Sequence, residues 1–259
     1  MKKISLKCYL FLKSVFGGYG LRRLKPVKVI VLRFEKFLKG NNPYLDYKGL
    51  RFFLDRREQL ATITGSYEPE TTAYVETHLK QTDRFVDVGS AIGWFALIAS
   101  KLCSKVTAFE PNPVELPILQ KNVAYNKAYV DIIPMAAGRK EETKTFYTFS
   151  DFHAASTFYD PGQHSAESRE ASLLASDDHS IHQYQVKVVP IDNVVGGAEM
   201  MKIDVEQFEM EVLKGMTRIL KECKPTLIIE TNNPEVDTYL APFGYHRTAT
   251  FDGMNQLYR

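Results

Sequence analysis

The chain has little cysteine: three residues in 259, Cys8, Cys103 and Cys223, scattered and odd in number, with no Cys-x-x-Cys pair. That excludes a disulfide framework and a thiolate zinc site, and it points to a reducing cytoplasm as the compartment. Nor does either charge dominate. Thirty-three Lys and Arg face 31 Asp and Glu for a net charge of +2, and no dense basic stripe of the kind that tracks phosphates is present, so nucleic acid is not an expected partner. No stretch approaches the ~18 uninterrupted apolar residues of a membrane span. The basic, apolar start Met1–Phe16 is interrupted by Lys7 and Lys13 and lacks a clean small-x-small cleavage site. It reads as an amphipathic docking helix, with peripheral membrane contact through the N-terminus as the alternative.

What is present centres on Phe85-Val-Asp-Val-Gly-Ser-Ala-Ile-Gly-Trp94. An apolar strand runs into a glycine turn and then an apolar helix, with Asp87, Gly89 and Gly93 spaced as D-x-G-x-x-x-G. Dinucleotide folds use G-x-G-x-x-G, whose extra glycine admits a pyrophosphate. Here Ser90 and Ala91 follow Gly89 and that cradle is missing. The acid on the strand suits a ligand with positive charge instead. About 20 residues on, Lys105–Glu110 is a second strand ending in a carboxylate, where doubly wound sheets hold a ribose. As a strand-end carboxylate at a crevice, Glu110 is expected to contribute little to stability. Asp87, Gly89, Gly93 and Glu110 together describe a site for a nucleoside with a cationic tail, S-adenosylmethionine, and hence a methyltransferase.

Residues 1–43 read as a helical extension with breaks at Gly17-Gly18 and Pro26, and 44–259 as the main domain. Residues 44–66 suggest a hairpin, Leu50–Leu54 followed by Thr62–Thr64, and 71–80 a helix. Alternation then predicts strands at 84–88, 105–110, 130–136, 199–204 and 226–231. Helices are predicted at 93–101, 114–126 and 207–222, then 234–242, which argues for a parallel sheet. Asp252-Gly253 between Tyr245–Phe251 and Asn255–Tyr258 is a hairpin signal. A terminal antiparallel hairpin beside a parallel sheet is the pattern of the seven-stranded, Rossmann-like class I methyltransferase fold. Segment 138–190 breaks the alternation: after a strand-like Thr143–Phe149 it turns polar through Gln185, and it is read either as a substrate lid or as a surface excursion.

The chain resembles the FkbM-type S-adenosylmethionine-dependent methyltransferases. The matching pieces are Gly65–Glu70, Phe85–Gly93, Ala108–Pro113, Lys121-Asn122, Pro190-Ile-Asp192, Lys202-Ile-Asp-Val-Glu-Gln-Phe-Glu209, Val212–Gly215 and Pro225–Glu230, within roughly residues 49–258. The resemblance implies methyl transfer to a hydroxyl oxygen on a small-molecule or glycan acceptor: a sugar, a glycolipid or a natural product. It implies a cofactor site from Glu68, Asp87, Gly89, Ser90, Gly93, Trp94, Glu110, Pro111, Asn112 and Ala136. The family usually has Ala-Asn where Ser90-Ala91 stands, and Gly where Gln207 stands.

For the chemistry, Asp204 ends the fourth strand at the sheet edge, and Glu206 and Glu230 lie near it. A hydroxyl acceptor must lose its proton, so a base or a metal is expected. Asp204, Glu206 and Glu230 are the candidate catalytic residues. Asp204, Glu230 and Asn232 offer oxygen ligands for Mg²⁺, with a metal-free Asp204 or Glu230 base as the alternative. Asp204-Val-Glu-Gln207 also fits a helix-capping pattern, and Glu206 a charge at a helix start. His153, His164, His179 and His182 have no ligand spacing, and Asn41-Asn-Pro-Tyr44 reads as a turn. A non-catalytic cofactor-binding module and an NAD-dependent oxidoreductase remain as other readings.

Overall fold

Residues 85–88 are buried on both faces because this strand lies mid-sheet. In the computed structural model, β3 (Arg84–Val88) is flanked by β4 (Lys105–Phe109) and β9 (Met200–Ile203), both parallel to it. The structure describes residues 44–54, 67–149, 156–159 and 181–259. The first of these stretches belongs to one compact unit and the others to a second. The expected N-terminal helices and their membrane contact, Thr62–Thr64, His153, His164, His179 and most of the lid segment lie outside the described residues. Among those described, no helix is long and apolar enough to cross a membrane.

In the first unit β1 (Tyr44–Tyr47) and β2 (Leu50–Phe53) form a hairpin. Its turn is Lys48-Gly49, both at positive φ, as a two-residue hairpin turn requires. The strand at 50–53 therefore pairs upstream.

The second unit is a seven-stranded sheet ordered β11-β12-β10-β9-β3-β4-β5, where β5 is Asp131–Ile133, β10 Thr226–Glu230, β11 Arg247–Phe251 and β12 Asn255–Tyr258. Only β12 runs against the others, wedged between β10 and β11. This is the Rossmann-like class I methyltransferase topology. Side-chain alternation along the strands sends Val86, Val88, Met201, Ile203, Leu227 and Ile229 into the main core, with Val212, Leu213, Met216, Ile219 and Leu220 from the helices that follow β9. Asp87 and Lys202, which share a register position, occupy the alternate strand positions.

Helix α1 (Pro69–His78) precedes β3, α2 (Trp94–Ala99) follows its turn, and α3 (Leu116–Asn126) follows β4. The strand expected at 130–136 is divided. Pro134, lacking an N–H, separates β5 from β6 (Ala136–Ala137), which joins a second sheet of order β6-β8-β7. There β7 (Glu142–Phe149) and β8 (Ile181–Val189) form a long antiparallel pair, so much of the irregular segment is ordered sheet. After α4 (Ile191–Val194), the helix expected over 207–222 is two helices, α5 (Glu209–Lys214) and α6 (Thr217–Glu222). The break falls at Gly215, where a Cβ would stand 1.9 Å from the Gly138 carbonyl oxygen. Asp192 replaces the lost helical partners by accepting the Arg218 and Ile219 N–H groups. Asn122, another motif residue, holds the β3–α2 turn by donating to the Ile92 carbonyl. Helix α7 (Glu235–Leu240) leads to the last two strands.

Candidate active site

The carboxyl ends of β3, β4, β9 and β10 converge, and the turns leaving β3 and β9 are shaped by left-handed residues. Gly89 has φ +82°, and a Cβ on it would lie 1.8 Å from the Asp204 carbonyl oxygen. Its missing side chain thus lets the β3 turn press against the β9 exit, while its own N–H and that of Ser90 go to the Phe109 carbonyl. Ala91 (φ 46°) and Gln207 (φ 71°) occupy left-handed backbone, a region that favours Asn and Gly. These are two of the positions where the resemblance described above leads one to expect Asn and Gly.

Glu110 is 5% exposed. Its carboxylate accepts the Ala91 N–H and the Asn112 N–H, each at 2.7 Å, tying the β3 and β4 turns together. Burial raises its pKa to about 7 in spite of those donors. The expectation that this group adds little to stability is therefore corrected: removing it orphans two backbone donors. Asp87 is turned inward, accepting the Ala96 N–H of α2 at 3.0 Å, and burial pushes it to about 7 as well. Trp94 is buried, with its indole N–H on Thr72 and its ring edge-on to Tyr67. Ser90 and Asn112 are buried beside Glu110, Pro111 is half-buried, Gly93 opens α2, and Ala136 lies on β6.

Asp204 and Glu230 come together with Glu68, and Asn232 lines the same cleft as Asp204 and Glu230. One oxygen from each of the three carboxylates lies within 4.8 Å of the other two. Among them sits the ammonium of Lys202, 3.3 Å from Asp204, 3.6 Å from Glu68 and 4.0 Å from Glu230, with the side chain 1% exposed. Burial disfavours that charge, but the pull of Asp204, Glu68, Glu230 and Asp87 outweighs it and holds the lysine above its ordinary pKa. One ammonium gains from every acid, whereas each acid has only a share of it. Burial and mutual repulsion accordingly raise Glu68 and Glu230, the latter chiefly through burial and the nearby Asp204. Lys202 went unnoticed as a site residue, although a lone lysine inside the apolar run Met200-Met-Lys-Ile203 demands a buried partner.

The capping reading of Asp204 fails: α5 starts five residues later with no side-chain cap, and the Gln207 N–H is taken by Glu209. Asp204, Glu206, Gln207, Glu209, Glu230, Thr231, Asn232, Asn233, Tyr159 and Met254 line a cleft of about 470 Å³. Glu206 reaches solvent at its mouth, yet the density around it and the nearby Asp204 raise its pKa to about 7. Residues 156–159 pass over this edge. Ser156 Oγ accepts from Asn112, Phe158 packs on Phe208 with ring centroids 4.4 Å apart, and Tyr159 faces the cleft. Tyr159, Glu209 and Glu68's place in the cluster were not legible from motif spacing. His182 is exposed on β8.

Two curated relatives match in sequence. A hexuronic acid methyltransferase, AglP, of Haloferax volcanii is 34% identical over 142 residues, 55% of this chain and 53% of that protein. The methyltransferase sdnD of Sordaria araneosa is 26% identical over 184 residues, 62% of this chain and 71% of that protein. The chain thus spans about half the length of the first. A solved FkbM methyltransferase from Methylobacillus flagellatus superposes with a TM-score of 0.47 at 18% identity, covering 70% of this chain and 44% of that one. The family model described as the methyltransferase FkbM domain matches residues 87–247, from the acid of the β3 turn to the start of β11. With that span and this topology, the chain belongs to the FkbM methyltransferase family.

Proposed function

We propose that the chain moves the methyl group of S-adenosylmethionine to a hydroxyl of an uncharged small-molecule or glycan acceptor, with Asp204 taking the proton. The observation that carries this reading is the contact of the Gly89 turn with Asp204, which sets a strand-end carboxylate beside the crevice where doubly wound sheets bind ligands. Glu110, with one lone pair left on each oxygen, is suited to the ribose hydroxyls; Ser90 and Asn112 stand next to it. In the transfer the sulfonium C–S bond breaks as a C–O bond forms in line, so positioning does most of the work. The acceptor proton passes to Asp204, which Lys202 holds in place from 3.3 Å away. Glu206 and Tyr159 at the cleft wall are placed to orient the acceptor and keep water out.

The relative's hexuronic acid does not transfer readily. Among the described residues the cleft presents Asp204, Glu206, Glu209 and Glu230 with no Lys or Arg in its lining, and a second carboxylate entering it meets like charge. An NAD-dependent oxidoreductase is set aside by the family. The test is to follow S-adenosylhomocysteine release with matched neutral, amino and uronic glycosides and polyols. Neutral acceptors should exceed uronates by at least tenfold. Asp204→Asn should cut turnover by about a hundredfold or more while cofactor affinity holds. An active Asn variant removes Asp204 as the base, and cofactor binding without turnover on any acceptor leaves a non-catalytic module.

A further inference from the structure

We infer that the buried ammonium of Lys202 stands where a divalent cation would otherwise sit, making Lys202 the positioning residue that holds Asp204 and Glu230 together and making this a metal-free site. The inference builds on the reading of Asp204 as the base. Three carboxylate oxygens within 4.8 Å of one another are a grouping that oxygen-ligated Mg²⁺ or Ca²⁺ would use. The three acids come from separate parts of the chain: Glu68 just before α1, Asp204 just after β9 and Glu230 at the end of β10. A cation between them offsets the repulsion of like charges in a half-buried space.

Lys202 supplies it from within the sheet. Its Nζ lies 3.3–4.0 Å from all three oxygens, and on another side it lies 5.5 Å from the centre of the Phe95 ring, a favourable surface for a cation. A divalent ion bonded to the same oxygens at about 2.0–2.6 Å would share this space with the ammonium. Toward residues 156–159, which form a strap along the cleft edge, Lys144 lies over the Phe158 and Phe208 rings and pairs with Glu142. A tethered ammonium differs from a metal in two ways: it cannot leave, and it offers no open coordination position to the acceptor oxygen. The acceptor hydroxyl is then activated by the carboxylate alone.

The experiment needs no acceptor. Chelator-treated wild type, Lys202→Met and Lys202→Met/Asp204→Asn are titrated with Mn²⁺ and bound ion is read by electron paramagnetic resonance, with folding checked by circular dichroism. Wild type should show no site at sub-millimolar Mn²⁺. Lys202→Met should gain one, weakened about tenfold or more by Asp204→Asn. If Lys202→Met does not fold, adding Glu68→Gln lowers the uncompensated charge and leaves Asp204 and Glu230 to bind. Mn²⁺ bound by wild type and lost in Asp204→Asn, or a folded lysine-free variant that binds none, overturns the inference. Failure of methyl transfer to any acceptor would count against the proposed function and leave this result untouched.

Discussion

Replacing Glu110 separates its two jobs. Its carboxylate accepts the Ala91 and Asn112 N–H groups at 2.7 Å in a site only 5% exposed. Glu110→Ala leaves two buried donors unpaired at about 1–3 kcal/mol each. The loss of about 2–6 kcal/mol corresponds to roughly 5–20 °C in Tm at 2–4 °C per kcal/mol, with the lower end expected where water enters the vacated space. Glu110→Gln keeps one acceptor oxygen, so about half of that loss is expected. If the carboxylate also receives the ribose hydroxyls, S-adenosylmethionine affinity in the Gln variant should fall by about 10- to 150-fold, the 1.5–3 kcal/mol of hydrogen bonds to a charged group. Scanning calorimetry gives the first number and titration calorimetry the second. Unchanged Tm in both variants would refute the tie between the two turns. A lower Tm with full cofactor affinity in the Gln variant would remove Glu110 from the ribose site.

Asp87 and Glu110 are raised by burial to about 7, so between about pH 4.5 and 7 the folded chain holds protons that the unfolded chain has released. Stability of the ligand-free protein should therefore fall as pH rises through that window, by up to about 1.4 kcal/mol per pH unit for each group; a Tm that climbs from pH 5 to 7 would contradict it. Cofactor affinity should move the opposite way over pH 6–7.5, because ribose hydroxyls donate to the ionised carboxylate. Tyr159→Ala should open the cleft, raising acceptor KM several-fold with cofactor Kd unchanged, and an effect on Kd alone would place the strap over the cofactor instead.

The parallel sheet was legible because its strands are buried on both faces, which leaves apolar runs such as Leu227–Ile229, and the Asp252-Gly253 hairpin because both residues take positive φ as that turn demands. What escaped notice depends on contacts distant in sequence. The 207–222 helix has an unbroken apolar stripe, and only the nearness of Gly138 explains its break at Gly215. The capping pattern at Asp204 is locally sound, but Glu206 and Gln207 take left-handed backbone and carry the chain away from a helix start. Glu110 was visible as a ligand and invisible as a brace, since its partners are main-chain groups. Lys202 was hidden by its own motif: three of the acids that justify it arrive from other elements.

The β11–β12 turn has a consequence for how the site is held. Asp252 accepts the Glu70 and Thr71 N–H groups at the start of α1, and Glu70 returns a carboxylate to the Asp252 N–H, a reciprocal link across 182 positions. Asn255, just past the turn, donates to Glu68. The first helix of the second unit opens on Pro69 but has no side-chain cap of its own, and takes one from the final hairpin instead. The wall of the charge cluster that Glu68 supplies is thus set by a hairpin nearly the whole domain away in sequence. A change at the Asp252 turn reaches the cluster without touching any of its acids.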